Sequence, residues 1–433
     1  MPQASTATRT RWTNWAGNQS AHPARTATPG TAEELAKEIL RAAEQGRSVK
    51  AAGSGHSFTA IAATDDVRLS LDGYRPEPVV DAAGHRVTVP AGMPLRDLNL
   101  LLARHGLALP NLGDIDAQTI AGATATGTHG TGARLGGLAT GIVGLRLVDG
   151  TGRPHEFGPG DPALPGLALG LGALGVVTDV TLQCVPAFRL NAEELPMPLD
   201  EAVADFDELA HTNDHLEFYW FPRADRVLVK RNNRDDDGRP LSRLRRWWDD
   251  EFMSNAVYGT VCRLGKALPA TVPAITSLSA RLMAARTFTD ESHRVFCTPR
   301  RVRFVEMEYA LPRAAFAPAF AALRTAADRH RVVFPVEVRV AAADELWLST
   351  AHGRDSVYFA VHQFRGMPYR EYFAEVEAVM RAHDGRPHWG KLHTRTAADL
   401  EPAYPHFGDF LALRDKLDPH GVFANSYLRR VLG

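Results

Sequence analysis

The sequence predicts an α+β protein built as more than one domain. Three observations carry this. The chain has 433 residues, more than one ordinary core organises. Apolar residues recur with helical spacing in some stretches and alternate in others, so helices and strands are interleaved. After about Pro186 the character changes: glycine thins out, and aromatic residues and arginines rise, as in "LEFYWFPRADRVLVKRNNR" and "RVRFVEMEYALPR".

The elements follow in order. "TAEELAKEILRAAEQG", 31–46, reads as a helix capped by Thr31, with Glu34 three residues on and Gly46 closing it. "SVKAAGSGHS" reads as a strand running into a glycine turn, and "VRLSLDGY" and "HRVTVPAGM" alternate as strands. "PLRDLNLLLARHG" puts Leu95, Leu98, Leu101 and Leu102 on one helical face. The tract "NLGDIDAQTIAGATATGTHGTGARLGG" is too small in side-chain volume to build a core. It suits backbone laid close against a ligand. "TGIVGLRLVDGTG" and "GVVTDVTLQCV" return to strand patterning, "GDFLALRDKLDPHG" makes a late helix, and "VFANSYLRRVL" follows it. A domain boundary is expected at about Pro186.

Composition excludes several function classes. An apolar fraction of 45% and a charged fraction of 23% are those of a globular protein. A net charge of −1 gives no global field for nucleic acid or an anionic membrane. Cys184, Cys262 and Cys297 are far apart and odd in number, so neither a disulfide framework nor a zinc site is expected, and no other metal is called for. The first twenty residues are basic and lack an apolar core, unlike a secretory signal. "LPGLALGLGALGVVTDVTL" is broken by Pro165, glycines and Asp179, unlike a membrane span. A cytoplasmic location is the expectation. The run "RLRRWW" is followed by "DDE", and reads as a solvated helix face.

Two glycine motifs compete for a cofactor. "GLGALG", Gly170 to Gly175, fits G-x-G-x-x-G, and Glu194 lies about twenty residues on. The fingerprint needs a strand before it and a helix after it. Here a Pro/Gly stretch precedes and a β-branched run follows, so a tight turn into a strand is preferred to a nicotinamide site. "KAAGSGHSF", 50–58, sets glycines and a serine directly before His56. It reads either as a turn carrying a surface histidine, or as backbone bent to bring His56 against a flat electrophile.

Three stretches taken together carry a resemblance: "AAGSGHSF" at 51–58, "NLGDIDAQTIAGATATGTHGTG" at 111–132 and "RPHWGKLHT" at 386–394. Over nearly its full length the chain resembles the vanillyl-alcohol-oxidase-type flavoproteins. Within them it is similar to the sugar-1,4-lactone oxidases (gulono-, galactono- and arabinono-lactone enzymes) and, less closely, to the alditol oxidases. The resemblance implies a two-subdomain FAD-binding domain of PCMH type, residues 1–186, an α+β cap over the flavin ring, residues 187–385, and a last segment, 386–433, returning to the FAD-binding domain. It implies pyrophosphate binding by the loops near 53–57 and 122–132, whose glycines let amides converge on anionic oxygens. On those grounds Gly53, Ser54, Gly55, Ser57, Gly113, Gly122, Thr126, Gly127, His129, Gly130, Gly132 and Val177 are the expected FAD contacts, with His129 structural beside the pyrophosphate loop. His56 matches the histidine bonded covalently to the flavin 8α-methyl group, chemistry that needs a neutral imidazole nitrogen.

The resemblance also assigns a reactive face. "VEVRV" sets Glu337 and Arg339 two residues apart, on one face of a strand. They match the family's active-site pair, Arg339 toward the flavin pyrimidine and Glu337 toward substrate. Lys391 matches a lysine that hydrogen-bonds the reacting hydroxyl or assists its deprotonation. His362 and His388 are candidate substrate contacts, and His393 a core residue. Alditol oxidases carry a histidine where this chain has Ala360, with His362 two residues later, which favours a lactone over a polyol. Gly113 matches a position where lactone oxidases tend to carry Gly and plant galactonolactone dehydrogenases Ala, which implies O₂ as electron acceptor. A flavin-binding protein without turnover is the reading from another class. The oligomeric state is left open.

Overall fold

The computed structural model describes residues 11–433. Two small sheets form the first half. Arg25–Ala27, Val67–Leu69 and Val49–Ala51 pair in parallel, with Val67–Leu69 in the centre. The helix Ala32–Glu44 closes this sheet, burying Leu35, Ile39 and Ala42. Its first turn is built as its sequence predicts: the Glu34 backbone N–H donates to Thr31 Oγ1 at 3.2 Å. The second sheet is antiparallel, in the order Pro154–Phe157, Ile142–Val148, Val176–Gln183, Arg86–Pro90, Val79–Asp81. The helix Leu95–Arg104 packs Leu95, Leu98 and Leu102 into the same core.

From residue 189 onward an eight-stranded antiparallel sheet dominates. Its order is Arg286–Glu291, Arg189–Pro198, Arg226–Arg234, His215–Trp220, Val336–Ala341, Ser356–Phe364, Phe304–Pro312, Arg386–Pro387. Side chains alternate strictly between its two faces. One face presents Leu216, Phe218, Trp220, Val336, Val338 and Val340 to a core completed by the helices Phe316–Ala327 and Arg370–Ala382. The opposite face, from the same strands, presents Glu217, Tyr219, Glu337 and Arg339, with Glu306 and Glu308 from Phe304–Pro312. This polar face turns inward, toward the first half of the chain. The backbone N–H of Gly132 donates to Val340 O at 2.9 Å, joining the two halves at one edge.

After Arg386–Pro387 the chain leaves the large sheet. Leu400, Tyr404, Phe407, Phe410 and Tyr427 pack into the core of the first half. Asn425 locks the return: its Nδ2 donates to Ala60 O, Ile61 O and Ala63 O at 3.0–3.1 Å. A helical excursion, from Arg243–Arg246 to Val272–Arg281, lies over the outer rim of the polar face.

Candidate active site

Two cavities meet at His56. A cleft of about 750 Å³ runs between the two sheets of the first half. A second cavity, about 570 Å³, lies between the first half and the polar face of the large sheet. His56, Ser57, Gln118 and Thr126 line both, so the two form one bent trough.

The cleft is built for an anion. Among the described residues nothing accepts from the backbone N–H groups of Gly53, Ser54, Gly55, His56 and Ser57, so five consecutive donors are free. Gly55 has φ +71°, which lets the backbone curl them inward. The loop presses on the second glycine tract so closely that a Cβ on Gly53 would meet Thr119 Oγ1 at 2.4 Å. Gly122, Thr126 and Val177 line the cleft as expected. Gly127, Gly130 and Gly132 do not. Thr124 O accepts from the Gly127 N–H, a Cβ on Gly130 would meet Leu112 O at 2.3 Å, and Gly132 is spent on the large sheet. These three glycines pack against the chain itself, and the amides without an acceptor are those of 53–57.

The "GLGALG" stretch is a turn into the strand Val176–Gln183, as its flanks require. It nevertheless walls the cleft, through Gly170, Gly172 and Gly175. Buried Lys50 ties this wall together, its Nζ donating to Gly172 O at 3.0 Å and Phe423 O at 3.1 Å. Burial pulls its pKa down to about 7, against the pull of Asp418.

His56 stands at the bend. Its ring stacks on Trp15, centroids 5.5 Å apart and 26° between planes. Burial, and then the Lys391 cation, hold its pKa down to about 4, so the imidazole is neutral at pH 7.

The second cavity collects the remaining candidates: Glu337, Arg339, Lys391, His362, His388 and Gly113 all line it. Arg339 is gripped by three carboxylates. Its Nε donates to Glu217 at 2.9 Å, and its Nη2 reaches Glu337 at 2.5 Å and also Asp114. Arg300 and Lys230 share this load, on Asp114 and Glu217. Burial opposes the charge on Arg339, but Asp114, Glu337 and Glu217 hold it firmly cationic. Glu337 accepts from Tyr219 Oη at 2.7 Å. Burial raises its pKa to about 7, with Arg339 opposing and Asp114 and Glu217 reinforcing.

Lys391 has a carboxylate of its own, Glu306 at 2.5 Å. Burial lowers its pKa, but Glu306 and Glu308 outweigh that and raise it. Lys391 is therefore a held ammonium and can donate a hydrogen bond. His362 donates through Nδ1 to Pro335 O at 3.2 Å and turns Nε2 toward Glu306 at 3.6 Å. His388 accepts at Nδ1 from the Gly390 N–H at 3.0 Å, and burial keeps it neutral. His129 lines the second cavity together with His56 and Ser57. Its Nε2 faces Glu308 at 3.1 Å and its ring packs on Tyr358, so it joins a first-half loop to the large sheet. His393 is buried on Tyr427, outside the cavity.

Sequence reasoning missed Asp114, Glu217, Tyr219, Lys230, Glu306 and Glu308. The signal for Glu217, Tyr219, Glu306 and Glu308 was legible: "LEFYW" and "FVEMEY" alternate polar with large apolar residues. One strand face is core, and the other carries charge that must be paired inside the molecule.

The comparisons fit this geometry. A model of the FAD binding domain matches residues 23–158, which include the amide cradle, so FAD is the cofactor the trough holds. A model of D-arabinono-1,4-lactone oxidase matches residues 180–431, the large sheet and the C-terminal return. L-gulono-1,4-lactone dehydrogenase of Mycobacterium tuberculosis is 43% identical, over 98% of this chain and 99% of the relative. L-gulonolactone oxidase of Bos taurus is 33% identical, over 97% of this chain and 98% of the relative. Alditol oxidase of a Streptomyces species is 35% identical, over 97% and 98%. Cholesterol oxidase from B. sterolicum shares the fold, with a TM-score of 0.83 at 19% identity, over 98% of this chain and 96% of that one. The D-arabinono-1,4-lactone oxidase model spans more than half of the chain, and the chain belongs to that family.

Proposed function

We propose that the protein is an FAD-dependent oxidoreductase that oxidises a secondary hydroxyl of an aldono-1,4-lactone of the gulono-, arabinono- or galactono- type. The observation that carries this reading is the convergence of Glu337, Arg339 and Lys391 on one cavity continuous with the FAD cleft. Relatives named for L-gulono-1,4-lactone oxidation align along almost the whole chain. FAD, when bound, supplies the hydride acceptor. The chain's residues do the rest. Arg339, fixed by its three carboxylates, presents a cation where negative charge collects. Lys391 donates to the reacting oxygen, held in its charged form by Glu306. The Glu337 carboxylate takes the hydroxyl proton, a task suited to a pKa raised to about 7. His362 and His388 contact the substrate, and the small Ala360, opposite both Glu337 and Glu308, leaves room for a ring.

His56 is proposed as the covalent anchor of the flavin. A neutral imidazole at the bend of the trough has the free lone pair that bond needs. O₂ is the proposed acceptor of the electrons, beside Gly113.

Acid precipitation of the purified protein tests the anchor: the pellet should stay yellow, whereas flavin wholly in the supernatant would refute covalency. His56→Ala should bind FAD removably. Stopped-flow reduction by a panel of lactones and polyols tests the substrate. Fastest reduction by a 1,4-lactone is expected. Faster reduction by a polyol would make the protein an alditol oxidase, and reduction by neither would make it a flavoprotein without turnover.

A further inference from the structure

Of eleven large hydrophobic side chains exposed among the described residues, eight lie between Leu244 and Leu282, on the helical excursion over the cavity rim. Leu244 is 74% exposed and Leu282 70%. On the helix Val272–Arg281, Leu278 and Arg281 share one exposed arc. On Tyr258–Ala267, the exposed arc runs from Lys266 through Arg263 to Leu264, with Leu268 just beyond.

Beside these residues lies a surface groove of about 590 Å³, with Trp247 at its edge. Five cations line it. Arg301 is paired with Glu251, but Arg263, Lys266, Arg303 and Arg365 have no carboxylate within salt-bridge distance among the described residues. The arginines of "RLRRWW" are a different set: Arg245 and Arg246 are neutralised by Asp249 and Asp290. A chain of net charge −1 therefore carries four unpaired cations in a groove edged by exposed Trp247, on the same excursion that holds eight of its eleven exposed large apolar side chains among the described residues.

We propose that this face docks on an anionic phospholipid surface. Leucines and tryptophans that project singly, flanked by arginine and lysine, match the interfacial zone of a bilayer: apolar tips enter the acyl boundary and cations meet phosphates. No helix among the described residues is long and apolar enough to cross a membrane, so the contact is peripheral. A second copy of the chain fits less well, because a two-fold interface would set this cationic face against itself. An acidic protein would neutralise the charge, yet leucines are poor anchors in protein interfaces.

Co-sedimentation of the flavin-loaded protein with vesicles tests this, using phosphatidylcholine with and without phosphatidylglycerol. Pelleting should require phosphatidylglycerol and fall at high salt, where charges are screened within about 3 Å. Lys266→Gln and Arg263→Gln should each weaken binding about fivefold. The triple variant L264E/L268E/L278E, on residues outside the cavity, should remove it, with its circular dichroism and flavin absorbance unchanged. Failure to pellet with phosphatidylglycerol overturns the proposal, and so does binding that these variants leave intact. Sedimentation velocity showing a dimer that the triple variant dissociates would give the face to a second copy instead.

Discussion

In the proposed reaction Glu337 and Lys391 would divide the acid–base work, because their surroundings differ. Glu337 faces Arg339 but also two further carboxylates, Asp114 and Glu217, and burial leaves it with a pKa near 7. A carboxyl group is a base only when ionised, so flavin reduction should accelerate as pH rises through about 7 and then level off. Glu337→Gln should abolish that rise and slow reduction by roughly 10²-fold or more. A pH-dependent rate surviving in the variant would place the base elsewhere. Gly113 permits a separate test. A Cβ there would stand 3.1 Å from His129 O and 3.4 Å from Thr128 Cγ2, a fit needing shifts of a few tenths of an ångström. Gly113→Ala should therefore fold. If O₂ reacts beside this residue, mixing the reduced variant with aerated buffer should show slowed reoxidation, while reduction by substrate stays near its original rate.

The strand Phe304–Pro312 shows how one element serves two ends. Val305, Met307, Tyr309 and Leu311 hold it in the core, while Glu306 and Glu308 point into the cavity and set the charge of Lys391. Glu306→Gln removes the main contribution raising the pKa of Lys391, leaving burial to lower it. With only Glu308 and Glu337 left to oppose burial, the fall of activity on the basic side should begin at lower pH, measured as flavin reduction against pH. An unmoved basic limb would free Lys391 of that role. Legibility in the sequence also differed element by element. The helix 32–44 and the shared strand face of Glu337 and Arg339 were readable because capping and alternation are local rules, whereas the resemblance alone singled that pair out from a surface ion pair. The roles of Gly127, Gly130 and Gly132 were not: whether a glycine faces a ligand or a neighbouring backbone depends on what lies across the gap. Asn111 and Leu112 fill it for Gly130, and the strand Val336–Ala341 fills it for Gly132. The partner of His129, Glu308, was not readable for the same reason, since it comes 179 residues later.

At the scale of the molecule, the return of residues 386–432 decides whether the cleft is complete. Asn425 caps the helix Ser426–Leu432 through the Leu428 N–H at 2.9 Å, and also satisfies three carbonyls of residues 60–63. Asn425→Ala strands these buried groups and should cost about 2 kcal/mol, seen as a lower unfolding temperature by differential scanning fluorimetry. An unchanged midpoint would mean that water replaces the amide. The division of the chain at about Pro186 was legible as a shift in composition. The docking of the last segment onto the first sheet was not, because no periodicity encodes a contact between residues so far apart.

Lys50 gives this long-range closure a meaning in time. Its ammonium is seated by Gly172 O and by Phe423 O, the second lying 373 residues further along. During synthesis the cleft wall emerges early and lacks its last carbonyl until nearly the whole chain has left the ribosome. A nascent chain halted before Phe423 should therefore capture FAD poorly, even with all five free amides already made. Cofactor loading is then expected to come after translation of the segment that completes Lys50's seat, and flavin fluorescence of stalled nascent chains released before and after Phe423 would measure it.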